Sequence, residues 1–272
     1  MASPSYRIAF EDSAFLHEDS VRPARLQLEL MKPERTLLGH HIKSTIVVFG
    51  SARVQSPTIT KQEVAELEAR AKKGPESEGL SEALHKAKKR AHYSRYYDEA
   101  RKLARMVSER FQQDHKRHYV IMTGGGPGIM EAANRGAHDV NARSIGLNIQ
   151  IPHEQEPNPY ITPELCFLFH YFALRKMHFM LRARALVAFP GGFGTLDELT
   201  DALTLIQTKK IEPMPIILFG TDYWKKLLNI DFLVEEGMIE EHDAKLLTYL
   251  DTADEAVQFL ARHHREDVPL NT

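Results

Sequence analysis

Pro190-Gly191-Gly192-Phe193-Gly194-Thr195-Leu196-Asp197-Glu198 follows the apolar run Ala185-Leu186-Val187-Ala188-Phe189, and Leu196, Leu199, Leu203 and Ile206 then mark one stripe of a helix. The order is strand, glycine turn, helix. Such a turn leaves backbone N–H groups free at a helix N-terminus, where an anion can sit. It also predicts Glu198 in the first helical turn, close to whatever carries the anion. Thr195 and Glu198 have the spacing of a capping box, in which the two residues satisfy each other's backbone donors. A capping box needs no Pro-Gly-Gly-x-Gly lead-in, so the anion-binding turn accounts for more of the stretch.

Two more strands end in the same way. Tyr119-Val120-Ile121-Met122 runs into Thr123-Gly124-Gly125-Gly126-Pro127-Gly128, then into a helical pattern over residues 129–140. Pro127 suits the first helical position, where its missing N–H costs nothing. The strand Thr45 to Phe49 ends in Gly50-Ser51-Ala52-Arg53. Further along, strand and helix patterns alternate over residues 144–149, 165–169, 171–184, 185–189, 195–209, 215–219, 223–236 and 253–264. This alternation predicts an α/β fold: a doubly wound, mostly parallel sheet with helices on both faces. Right-handed crossovers bring the glycine turns to one edge, where ligands bind.

Composition narrows the class. The chain has 272 residues, 43% of them hydrophobic, which suffices for one large core. A net charge of −2 argues against a surface that coats nucleic acid. The basic run Lys86-Ala87-Lys88-Lys89-Arg90 reads as a solvated helix face. The single cysteine, Cys166, excludes an internal disulfide and predicts a reducing, cytoplasmic setting. It lies in the apolar run 165–169 and reads as a structural thiol. No apolar stretch approaches the ~18–20 residues of a membrane span, and the N-terminus lacks a signal-peptide layout.

Residues 1–43 are expected to form an extension that packs on the body. Residues 44–272 are expected to form a single nucleotide-binding domain with a helical insertion near 58–92. Gly74-Pro75 divides this helical region in two. The second helix carries a stripe at Tyr93, Tyr96, Tyr97, Ala100, Leu103, Ala104, Val107 and Phe111 that should cover the sheet.

The stretch Tyr171-Phe172-Ala173-Leu174-Arg175-Lys176-Met177-His178-Phe179-Met180-Leu181 is apolar nearly all round and predicts a mostly buried helix. Arg175 shares a face with Phe172 and Phe179. A guanidinium there needs an acidic partner or an anionic ligand, because an unpaired buried charge costs several kcal/mol. Both readings stand at this point. His178 reads as a packed histidine, and no His, Cys, Asp or Glu set has metal-ligand spacing.

The Arg175-Lys176 pair, taken with Pro190 to Glu198, resembles the LOG ("Lonely guy") family, many of whose members carry a lysine decarboxylase label. Gly124-Gly125-Gly126 matches the family's other glycine loop and Gly50-Ser51 its first turn; the resemblance spans roughly residues 45–228. It implies a modified Rossmann fold and an N-glycosyl hydrolase that splits a nucleoside 5′-monophosphate into free base and ribose 5-phosphate. The substrate would be AMP or an N6-modified AMP, as in cytokinin biosynthesis. Residue by residue, it implies Arg175 and Glu198 as the catalytic pair. Gly191, Gly192, Gly194 and Thr195 would bind the phosphate, with Ser51, Gly124, Gly125 and Gly126 close by and Lys176 also touching substrate. It implies no metal, no organic cofactor, and a homodimer or larger homo-oligomer. Phe172 departs from a methionine common three positions before the family arginine. The N-terminal extension and the insertion are longer than in the short plant-like members.

A decarboxylase built on pyridoxal phosphate would need a Schiff-base lysine, and no lysine has a context that argues for one. A dinucleotide-dependent oxidoreductase is disfavoured, since Gly124 to Gly128 is not G-x-G-x-x-G. The remaining alternative is a non-catalytic nucleotide-binding or sensor protein of the same fold, which would retain nucleotide without turning it over. Arg53, Glu131 and His153 are polar candidates to which no part is assigned.

Overall fold

The computed structural model of the chain describes residues 3–73, 78–112, 117–152 and 156–264; Gly74-Pro75 and His153 lie outside them. Seven strands form one sheet: β1 Thr45–Phe49, β2 Val120–Thr123, β3 Ser144–Ile149, β4 Cys166–Phe169, β5 Ala183–Ala188, β6 Ile216–Phe219 and β7 Leu247–Leu250. Their spatial order is β4-β3-β2-β1-β5-β6-β7, and every neighbouring pair is parallel. Parallel strands need long crossovers, and the crossover helices cover both faces. Hence β1 is buried from end to end. Its side chains alternate between two cores. Ile46 and Val48 pack with Leu103 and Val107 of helix Arg95–Phe111 and Ala133 of helix Ile129–His138. Val47 and Phe49 pack with Phe179 of helix Phe172–Leu181 and Leu199 of helix Phe193–Gln207.

The path of the chain fixes where a ligand can enter. From β1 it steps outward through β2 and β3 to β4, then returns to lay β5 against the other side of β1. Val47 pairs with Leu186 and Phe49 with Ala188. The turns after β1 and β5 therefore leave the sheet side by side, and the Ser51 N–H donates to the Pro190 carbonyl at 3.0 Å. This is the topological switch point, the place where crossovers diverge and leave a crevice.

Several elements differ from the sequence expectation. The helical region after Gly74-Pro75 is two helices, Glu78–Tyr93 and Arg95–Phe111, which meet at Ser94, whose hydroxyl donates to the Ala91 carbonyl. The pattern at 223–236 is also two helices, Thr221–Leu227 and Ile230–Glu235, the second capped by the Asn229 side chain. Strand β7 has only four residues and no strong apolar run, which hid it from pattern reading. Helix Phe172–Leu181 buries only His178, Phe179 and Met180. Phe172 and Met177 are exposed, so the expectation of a mostly buried helix fails. Its outer face lies at the surface of this single chain. Helix Arg22–Gly39 is pinned where Glu34 meets the fully buried guanidinium of Arg182 at 2.5 and 2.6 Å.

Candidate functional site

A cavity of about 650 Å³ opens at the switch point. Gly50, Ser51, Ala52 and Arg53 supply its first wall, Gly124 its second, and the stretch from Gly191 to Glu198 its third. Each wall is a turn at the C-terminal end of a strand.

Helix Phe193–Gln207 begins with Gly192 as its cap residue, and no side chain caps it. Thr195 is already inside the helix, so the Thr195–Glu198 capping box does not form. Glu198 is the sixth helical residue and sits in the second turn rather than the first. Its backbone position puts it on the buried side, with only 5% of its surface exposed. The first-turn residues Phe193, Gly194 and Thr195 line the cavity. A β-carbon at Gly192 or Gly194 would meet nothing within 4 Å, so a ligand can approach this backbone closely. Gly191 is different: a β-carbon there would collide with Thr195 Oγ1. The Tyr223 hydroxyl donates to the Gly191 carbonyl at 2.5 Å and fixes the turn from the far side.

The Oε2 atom of Glu198 is buried and has no hydrogen-bond partner among the described residues. Leaving a buried acceptor unmatched costs about 1–3 kcal/mol. Burial pushes the Glu198 carboxyl up to about 7; Arg175 and Lys176 pull it down, and Asp197 and Asp201 push it further up. Arg175 donates from Nε to the Leu147 carbonyl at 2.8 Å and lies over the Phe179 ring at 5.2 Å. Burial draws its pKa down while the charge of Glu198 draws it up. Arg175 makes no ion pair among the described residues, so the structural salt bridge is not formed. An acid and a guanidinium thus face one cavity with hydrogen-bonding capacity unspent, the pattern of a functional site.

The other candidates divide. Ser51, Gly124, Gly191, Gly192, Gly194 and Thr195 line the cavity with Arg175 and Glu198. Gly125 and Gly126 are buried behind it. Gly125 N–H donates to Thr123 Oγ1 at 3.0 Å, and Asn158 donates to the carbonyls of both glycines. That loop spends its polar groups inward, so the structure does not bring it to the cavity wall. Lys176 also stays outside, its ammonium 2.6 Å from Asp197. Pro127 precedes the helix, because Gly128 is the cap residue, with φ +73 and no room for a β-carbon, which would collide with the Ser51 carbonyl. Glu131 accepts from the Tyr97 hydroxyl at 2.6 Å, away from the cavity. Tyr223, Met130 and the Leu147 carbonyl escaped sequence reasoning. A backbone carbonyl leaves no trace in a sequence; Tyr223 could have been found from Gly220, which ends β6 on the same edge.

Among the described residues, no group of three or more His, Cys, Asp or Glu is placed to hold a metal, and no helix is long and apolar enough to cross a membrane. Among the described residues, no lysine lines the cavity.

Fold and site together define a doubly wound α/β protein with an uncapped glycine turn and a buried acid at its switch point. A family model described as "Possible lysine decarboxylase" matches residues 130–260. The chain is 32% identical over 149 residues to a cytokinin riboside 5′-monophosphate phosphoribohydrolase of Arabidopsis thaliana, covering 53% of this chain and 67% of that one. A protein of the same description from Oryza sativa subsp. japonica is 31% identical over 142 residues, 51% of this chain and 57% of that one. A solved Moco carrier protein of Chlamydomonas reinhardtii aligns with a TM-score of 0.46 at 17% identity, covering 81% and 97% of the two chains. The chain belongs to the LOG family.

Proposed function

We propose that the chain hydrolyses the N-glycosidic bond of a nucleoside 5′-monophosphate, releasing a free base and ribose 5-phosphate. The observation that carries this reading is the buried, unpartnered oxygen of Glu198 in the wall of a cavity that also contains an uncapped glycine turn. The phosphate sits on the amides of the first turn of helix Phe193–Gln207, where the helix dipole favours negative charge. Anchoring it there fixes the ribose against Glu198. Breaking the bond builds positive charge on the ribose, as in glycoside hydrolysis. The Glu198 carboxylate stabilises that charge and orients the attacking water; Arg175 balances the joint negative charge of carboxylate and phosphate. The names of the plant relatives support a cytokinin riboside monophosphate, or AMP, as substrate.

The chain is further proposed to act as a homo-oligomer. Phe193 at the cavity rim is 91% exposed, and Phe172 and Met177 on the neighbouring helix are also exposed. Apolar side chains gathered at a rim are suited to an interface between copies.

The test is incubation of the protein with a panel of nucleoside monophosphates, with ribose 5-phosphate as readout. Release by the native chain and at least ~10²-fold less by Glu198→Gln is expected, the scale of an essential acid–base group. Tight nucleotide retention without base release would establish the sensor reading instead.

A further inference from the structure

Beside the cavity lies a second recess of about 320 Å³. The two share Ser51, Arg53, Gly191, Gly192 and Tyr223, but neither Arg175 nor Glu198 reaches the recess. It therefore lies across the glycine turn from the acid. Helix Glu78–Tyr93 supplies the rest of its wall through Lys89, Arg90 and Tyr93. Among the described residues no carboxylate lines it. Lys86, Lys88 and Arg90 of the same helix each pair with a glutamate, Glu82, Glu68 and Glu63. Lys89 does not, and Arg53 has no ion pair either among the described residues. Of the three cations in the recess wall, Arg90 is thus engaged by Glu63, and Lys89 and Arg53 are not engaged by a carboxylate among the described residues. The Tyr93 and Tyr223 rings meet edge to face at 6.2 Å, and Val54 and Pro190 complete an apolar floor. Such a floor displaces water and strengthens attraction between a cation and an anion.

Resting on the monophosphate reading, we propose that this recess takes the second phosphoryl group of a nucleoside 5′-diphosphate, so that the chain accepts diphosphates as well as monophosphates. The first phosphate stays on the turn of helix Phe193–Gln207. The second crosses the rim shared by Ser51 and Gly191 and meets Lys89 and Arg53. The chemistry at the sugar is unchanged. The N-glycosidic bond breaks, a water oxygen bonds to C1′, its proton passes to the departing base, and ribose 5-diphosphate leaves with its anhydride intact. The insertion that carries Lys89 thereby acts as a specificity element for the end of the substrate farthest from the base.

The experiment compares AMP with ADP on the full chain, without divalent cations, by base release and by calorimetric binding, in the native protein and in Lys89→Ala and Lys89→Glu. ADP is expected to bind roughly tenfold more tightly than AMP, the contribution of one charge-assisted hydrogen bond. Lys89→Ala removes that advantage and Lys89→Glu reverses it, with AMP turnover unaltered in both. Turnover of AMP with no tighter binding of ADP overturns the inference, as does an ADP advantage that survives Lys89→Ala. Absence of base release from either nucleotide overturns the hydrolase reading; the calorimetric preference and its loss in Lys89→Ala then still decide the recess.

Discussion

The Arg175 guanidinium fills the space that a side chain at Gly124 would need: a β-carbon on Gly124 would lie 2.5 Å from Nη2. Gly124 is not among the glycines with positive φ, so its backbone does not require glycine. The space does. The glycine turn after β2, which looks like a second phosphate cradle in the sequence, is in part a seat for an arginine.

Gly124→Ala is therefore expected to fold normally, since the obstructing atoms are the far ends of Arg175 and Met130. The guanidinium must move, and the Nε bond to the Leu147 carbonyl is strained or lost. A displacement of about 1 Å can cost ~10²-fold in rate. Base release should fall by that order, while the thermal midpoint stays within a few degrees of the native value. An unchanged rate would show that Arg175 does not need this position.

Glu198→Gln separates stability from activity. The carboxyl ordinarily titrates at 4.5 and in the fold at about 7. Between those values the folded chain keeps a proton that the unfolded chain has released. The stability associated with this group is therefore full below 4.5 and is lost as pH rises through 7. The neutral glutamine escapes that loss. Denaturant unfolding should show the variant equal to native near pH 4 and more stable at pH 8, by at most about 3 kcal/mol. A variant less stable than native at pH 8 contradicts the burial-driven shift.

The same carboxyl should govern the pH profile of turnover. In the proposed reaction the carboxylate is the working form, so kcat/KM should rise through a limb near pH 7, where burial places Glu198. Asp201 pushes that value up and Lys176 pulls it down. Asp201→Asn should move the limb to lower pH and Lys176→Met to higher pH. Parallel shifts in one direction would assign the limb to another group.

Glu34 and Arg182 join the N-terminal helix to the start of β5. Glu34→Gln leaves a fully buried guanidinium without its countercharge, which should cost about 3 kcal/mol. The Arg182 bond holds the Glu34 carboxyl below its usual range. Its contribution is present above the unfolded value and is lost as pH falls through the lowered one. The difference between native and variant in urea should therefore shrink on acidification.

Much of this was legible in the chain itself. Strands β1 and β3 have the predicted limits: Ile46 to Phe49 is an unbroken apolar run, and Ile145, Leu147 and Ile149 alternate with small or polar residues. The glycine turns marked the sheet edge, and Arg175 and Glu198 line one cavity because the helices before and after β5 both reach that edge. What the pattern concealed was the direction in which a loop's polar atoms point. Gly125 and Gly126 look like Gly191 and Gly192 in the sequence, yet Asn158, more than 30 residues on, claims their carbonyls. Helix limits also slipped by two residues at Phe193, because glycine in a first turn carries no signal of its own.

Arg175 and Glu198 stand on the two helices that flank β5, separated by 23 positions of chain. One short strand, seated against β1, thus sets the spacing of the two proposed catalytic groups. Remodelling at the outlying strands β4 and β7, or in the inserted helices, can proceed without altering that spacing. Changes in what the outlying elements recognise therefore leave the proposed pair in register.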